Sequence, residues 1–163
     1  MVVSFEFAKT EGILRVSLSG KITEQVLMDL WSKGRDVVAS FPACKSVVDL
    51  SGITQLDVST DAITRLARSH APGLPTRVFV APKDVVYGTT RMFQTLSENT
   101  RKNVHVVRTM DEAYKLLGVG SPKFIPVSTL ELDQSWSYAT PLQPVRELNS
   151  DGPKSISWLP AAL

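Results

Sequence analysis

Cysteine and long apolar runs are scarce in this sequence. Its single cysteine, Cys44, excludes an internal disulfide and fits a reducing compartment. No stretch approaches the roughly 18 apolar residues that a membrane-spanning helix needs. The first residues show neither the basic segment nor the apolar run of a signal peptide. We therefore expect a cytoplasmic protein with no membrane partner.

Motifs for catalysis, metal binding and phosphate binding are also missing. The sequence contains no glycine-rich phosphate loop, no Gly-x-Ser-x-Gly, no His-Glu-x-x-His and no Cys-x-x-Cys. It has two histidines, His70 and His105, and one cysteine, whereas structural zinc takes four nitrogen or sulfur ligands. We expect no cofactor and no metal, and a protein that binds a partner rather than an enzyme.

The charge of the chain is close to balanced, with 18 Lys and Arg against 16 Asp and Glu. A nucleic-acid-binding protein gathers its basic residues on one face, but here they are scattered among acidic and apolar residues. We expect no nucleic-acid partner. A hydrophobic content of 43% is sufficient for one packed domain.

Alternating and helical patterns predict the order β-β-α-β-α-β-α-β-α over residues 3–118. Strands are expected at 3–7, 13–18, 46–50, 77–81 and 104–108. Helices are expected to begin at Thr23, about Ser59, Lys83 and Asp111, and the last one is expected to end at Gly118. Residues 51–58 are predicted as a loop, and Val85, Val86 and Phe93 as the inward face of the third helix.

This order predicts an α/β fold. Strands that alternate with helices form a mixed, mainly parallel sheet covered by the helices, and the first hairpin adds an antiparallel edge. We place this domain at residues 1–118.

Residues 119–163, the tail, have a different composition. Six of the ten prolines lie there, so the tail is predicted to be irregular. Leu130, Leu132, Trp136 and Tyr138 fall at even spacing, which indicates one short strand near 128–138. Two roles fit the tail: it packs on its own domain, or it packs on a second copy of the chain and forms a homo-oligomer.

Carboxylates lie where strands end or helices begin, at Asp49, Asp57, Asp61 and Asp84. Ligands of parallel α/β sheets bind at the carboxyl ends of the strands, so these acids are candidates for a magnesium site or a general base. A simpler role is preferred, because an aspartate near a helix start satisfies free backbone amides and the helix dipole.

The stretch Asp49–Thr60, with the letters DLSGITQLDVST, carries a family resemblance. A strand ends, Ser51 and Gly52 follow as a turn, and Asp57-x-Ser59-Thr60 leads into a helix. This resembles the STAS domain, the SpoIIAA-like family of anti-sigma-factor antagonists, in which a strand ending in D-L-S-G precedes D-S-S-G at a helix start. The resemblance covers residues 3–118.

The resemblance implies a phosphorylation switch. In signalling members, a partner kinase phosphorylates the second serine of D-S-S and releases the bound partner. Asp57 matches the aspartate, Val58 replaces the first serine, Ser59 matches the phosphoacceptor and Thr60 replaces the glycine. Ser59 is also the predicted N-cap of the second helix.

Three hypotheses about function follow. The first is a non-enzymatic STAS-like regulatory module that binds a protein partner, a kinase or another regulator. Its predicted partner-binding residues are Ser59, Asp57, Thr60, Asp49 and Ser51. The alternative is a small-molecule or lipid-binding carrier of SEC14-like type, with a groove beside Trp31, Met92 and Phe93. An enzyme that uses the aspartates ranks last.

Overall fold

A computed structural model describes residues 2–41, 44–69 and 76–127 of the chain. Over these ranges it contains six strands and four helices. In chain order they are β1 (Val2–Ala8), β2 (Ile13–Thr23), α1 (Glu24–Ala39), β3 (Lys45–Asp57), α2 (Thr60–Arg68), β4 (Arg77–Val80), α3 (Asp84–Ser97), β5 (Val104–Val107), α4 (Met110–Leu117) and β6 (Ile125–Pro126). None of these helices is long and apolar enough to cross a membrane.

The strands form one mixed sheet in the order β5-β4-β3-β2-β1-β6. β2, β3, β4 and β5 are parallel, while β1 is antiparallel to both β2 and β6. The predicted fold class, a mainly parallel sheet with an antiparallel N-terminal hairpin, is confirmed.

The helices cover both faces of the sheet. Right-handed crossovers between neighbouring parallel strands place their helices on the same side, and Leu27, Ile63 and Phe93 from α1, α2 and α3 do share one cluster. On the other face, Leu117 of α4 packs with Val78 of β4 in a second cluster. Strand residues alternate between these two clusters, as the period of a β-strand requires.

Local sequence signals place the helix ends. The Thr23 side chain caps α1 by accepting from Val26 N at 3.4 Å. Thr109 and Glu112 form a capping box at the start of α4, and Gly118 ends it in the left-handed region with φ +71°. The prediction for Val85 was wrong: its side chain is 71% exposed, because only Val86 of this pair turns toward the core.

The prediction of a loop at residues 51–58 was also wrong. β3 continues to Asp57 because β2 continues to Thr23 beside it, with register shifts on the way. Gly52 lies within this extension, where a Cβ would meet Ser19 Cβ at 2.6 Å. The Ser51-Gly52 pair is therefore a point of close strand approach and not a turn.

The described chain continues beyond Gly118 with a short edge strand. In β6, Ile125 pairs with Phe7 and Pro126 with Glu6. Phe124 lies under the Arg15 guanidinium, 4.1 Å from the ring centroid. The chain divides into two units, Met1–Glu131 and Leu132–Leu163, and all described residues belong to the first. The strand predicted near 128–138 lies outside the described residues.

Candidate functional site

The start of α2 is built around Ser59. This residue has an extended backbone, and its Oγ accepts a hydrogen bond from Ala62 N at 3.2 Å, so the predicted N-cap is confirmed. Its own backbone N–H donates to Glu24 Oε1 at 3.0 Å. Since Glu24 is the first residue of α1, Ser59 joins the starts of two helices.

The contact with Ser59 changes the acidity of Glu24. Hydrogen bonds from the Ser59 side chain and then from its backbone lower the pKa of the Glu24 carboxyl, and Arg65 adds to the effect. Arg65 Nη2 lies 3.6 Å from Glu24 Oε2. The free backbone N–H at the start of α2 is therefore already hydrogen-bonded to a carboxylate of the same chain.

Exposed polar side chains surround this junction. Asp57 Oδ2 lies 3.5 Å from Lys21 Nζ, with 66% and 51% of the two side chains exposed. Thr60 is exposed and follows Ser59 directly. Residues 23–25 and 56–59 line a shallow depression here. We call residues 23–25 and 56–60 together the helix-start surface.

Asp49 and Ser51 lie elsewhere. They are in the middle of β3, where Asp49 Oδ1 accepts from Ser51 N at 2.9 Å. Asp57 lies eight positions after Asp49 along the strand, which is roughly 25 Å at the rise of a β-strand. Because the turn predicted at Ser51-Gly52 is a continuous strand, the structure brings Asp57, Ser59 and Thr60 together and leaves Asp49 and Ser51 apart.

The remaining aspartates have separate surroundings. Asp61 is exposed in the first turn of α2, and Asp84 Oδ1 accepts from Arg108 Nη1 at 2.7 Å. Within the part of the chain that the structure describes, no group of three or more His, Cys, Asp or Glu residues is arranged to hold a metal ion.

A cavity of about 180 Å³ lies between the sheet and helices α1, α2 and α3. Its wall is mostly apolar and includes Trp31 and Phe93, two of the three residues for which a groove was predicted. Met92, the third, packs against the neighbouring core cluster. We call this space the sheet–helix cavity.

Two polar residues of the cavity wall were not singled out from the sequence. Ser46 and Arg77 are register partners on β3 and β4, and both line the cavity. Each precedes an apolar strand segment, so the only sequence signal was a polar residue at an inward-facing position. The two residues come close to each other only because β3 pairs with β4.

The polar groups at this end of the cavity have few partners. The Ser46 hydroxyl is buried and has no hydrogen-bond partner among the described residues. Burial, and then the charge of Arg101, lower the pKa of Arg77 to about 10. The Trp31 ring centroid lies 5.9 Å from the Arg77 guanidinium and 4.9 Å from that of Arg101.

The similarity of this chain to known proteins lies among solved structures. No protein-family model and no curated protein matches the chain. Among solved structures, it is similar to an uncharacterized protein from the DUF3478 family with a SpoIIAA-like fold, from Shewanella loihica PV-4. The two share 15% identity with a TM-score of 0.49, over 71% of this chain and 92% of the other.

Proposed function

We propose that this chain is a non-enzymatic, STAS-like regulatory module that binds a protein partner through the helix-start surface. The observation that supports this most is the position of Ser59, which is exposed and joins the starts of α1 and α2 through Glu24. A change at this one side chain acts on both helix starts.

Phosphorylation of Ser59 is the proposed switch. A phosphate adds a charge of about −2 at neutral pH, beside the carboxylate of Glu24 and close in sequence to Asp57 and Asp61. The modified side chain also loses the hydroxyl proton. The result is repulsion at the junction and a more acidic surface, which weakens binding of a partner that docks an acidic face there.

Affinity capture from cells that express the chain tests this proposal. The wild type and the Ser59→Asp variant serve as baits, and bound proteins and the phosphorylation state of Ser59 are read by mass spectrometry. We expect a partner that the wild type retains and Ser59→Asp loses, with circular dichroism unchanged.

The matched control is Thr10→Asp, which adds the same charge in the exposed turn between β1 and β2. This variant should retain the partner. Equal capture by the wild type and by Ser59→Asp would count against the proposal.

A small-molecule carrier is the second candidate function, and the sheet–helix cavity favours it. Ligand sites are concave and mostly apolar, with a few polar groups that orient the ligand. The cavity has an apolar wall with Ser46 and Arg77 at one place in it.

A further inference from the structure

Arg77 has unused binding capacity inside the sheet–helix cavity. None of the ion pairs among the described residues includes Arg77. A guanidinium has five N–H donors in a planar fork, and no side-chain hydrogen bond of Arg77 occurs within the described ranges. Arg77 is partly buried in the cavity wall, and no anion among the described residues pairs with its charge.

Both terminal nitrogens of the neighbouring guanidinium, that of Arg101, are already occupied. Arg101 donates to the carbonyl oxygens of Leu66, Ala67 and Ser69, at the end of α2. These carbonyls carry the negative end of the helix dipole and compensate the charge of Arg101. Arg77 is therefore the cation of this pair that remains available to a ligand.

Ser46 provides a second donor at the same position. Register partners on adjacent parallel strands have their side chains on the same face of the sheet, and Ser46 is the register partner of Arg77. The Ser46 hydroxyl is buried and unpartnered among the described residues, so an acceptor bound in the cavity would supply the partner that it lacks.

We propose that the sheet–helix cavity binds a small amphipathic monocarboxylate, with its carboxylate at Arg77 and Ser46 and its apolar body against Trp31, Phe93 and the other apolar wall residues. This inference rests on the second candidate function and names its ligand class. A carboxylate accepts two parallel hydrogen bonds from a guanidinium fork, and its single negative charge balances the one available cation.

The size of the cavity limits the ligand. An engineered apolar cavity of about 150 Å³ in another protein holds one benzene ring, so about 180 Å³ suits a body of roughly six to eight carbons. A phospholipid with two acyl chains is far larger than this space. Gly34 of α1 also lines the cavity, and nothing lies within 4 Å of the position of an added Cβ.

Titration of the full chain with sodium octanoate and, separately, with its neutral analogue 1-octanol tests the proposal. Isothermal titration calorimetry gives both affinities at fixed ionic strength. We expect octanoate to bind with a stoichiometry of one. The Arg77→Met variant should weaken octanoate by about tenfold or more, the usual effect of losing a charged hydrogen bond, and leave 1-octanol unchanged. Arg77→Lys should restore part of the loss.

Two further variants locate the site. Gly34→Leu fills the cavity and should weaken both ligands. Arg108→Met removes a guanidinium that pairs with the exposed Asp84 and should change neither. Circular dichroism confirms the fold of Arg77→Met, which is expected to persist because Arg77 makes no ion pair among the described residues.

Absence of octanoate binding to the wild type would overturn the proposal, as would equal octanoate affinities for the wild type and Arg77→Met. If Gly34→Leu weakens both ligands while the wild type does not prefer the carboxylate, the carrier function survives and the carboxylate site is rejected. Octanoate binding by Ser59→Asp is expected to equal that of the wild type. The partner-capture experiment and the octanoate titration can therefore fail independently of each other.

Discussion

The backbone N–H of Ser59 donates to Glu24 Oε1 at 3.0 Å, which connects the residue before α2 to the first residue of α1. The two residues are 35 positions apart in sequence. They meet because β2 and β3 run parallel and end side by side, with Thr23 as the register partner of Asp57. β2 leads directly into α1, and β3 leads into α2 after Val58 and Ser59.

Ser59→Ala should destabilise the domain by about 1 kcal/mol, because the substitution removes the N-cap of α2. Urea unfolding followed by circular dichroism measures the difference. Ser59→Asn keeps a capping oxygen and should lie within a few tenths of a kcal/mol of the wild type. An alanine variant as stable as the wild type would show that the cap contributes nothing.

The Ser59–Glu24 contact also predicts a pH dependence. The folded pKa of Glu24 is lowered from its ordinary value of 4.5. Its contribution to stability is therefore present above that ordinary value and is lost as the pH falls through the folded pKa. In the Ser59→Ala variant, the NMR titration midpoint of the Glu24 carboxyl should rise toward 4.5. An unchanged midpoint would mean that the Ser59 side chain is not a cause of the shift.

Two glycines should respond to alanine in opposite directions. At Gly52 a Cβ would meet Leu18 O at 2.9 Å in addition to Ser19 Cβ, so Gly52→Ala should cost about 1–3 kcal/mol through overpacking. Gly88 is exposed in α3 with nothing within 4 Å of an added Cβ, so Gly88→Ala should stabilise by about 0.5–1 kcal/mol. Chemical denaturation of both variants gives the sign of each change in the free energy of unfolding. A Gly52→Ala variant as stable as the wild type would contradict the close strand approach.

Cys44 should be inert in the folded protein. It is buried, and desolvation raises its pKa to about 11 from 9.0. Because the unfolded thiol ionises first, the contribution of Cys44 to stability is expected to fall as the pH rises from 9.0 through about 11. Labelling by a thiol reagent near neutral pH should follow global unfolding and become fast in urea. Rapid labelling of the native protein would contradict this burial.

A comparison of two truncated chains tests the role of residues 119–131. A chain that ends after Gly118 loses β6 and Phe124, whose ring lies near the Arg15 guanidinium and the Tyr114 ring. A chain that ends after Glu131 keeps them. We expect a lower thermal midpoint for the shorter chain, because it loses the roughly 1–2 kcal/mol of stability that a partly buried aromatic side chain contributes. Equal midpoints would show that this segment does not stabilise the sheet.

The helix starts at Thr23 and Ser59 could be predicted because capping is a local interaction. The side chain of each cap bonds to a backbone N–H three residues later. The end of α4 at Gly118 could also be predicted from a local signal, since the left-handed conformation at a helix end favours glycine. The second half of β3 was missed because strict alternation fails after Leu50, where register shifts accompany its pairing with β2.

The amino-acid sequence by itself determined the order of the elements, the α/β class and the capping residues, since each depends on neighbours within a few positions. Tertiary structure alone decided that Ser59 meets Glu24, that Asp49 and Ser51 stay apart from Asp57, and that Ser46 faces the same cavity as Arg77. These relationships depend on the register of the strands. Register is set by burial of apolar side chains on both faces of the sheet, and it joins residues that are distant in sequence.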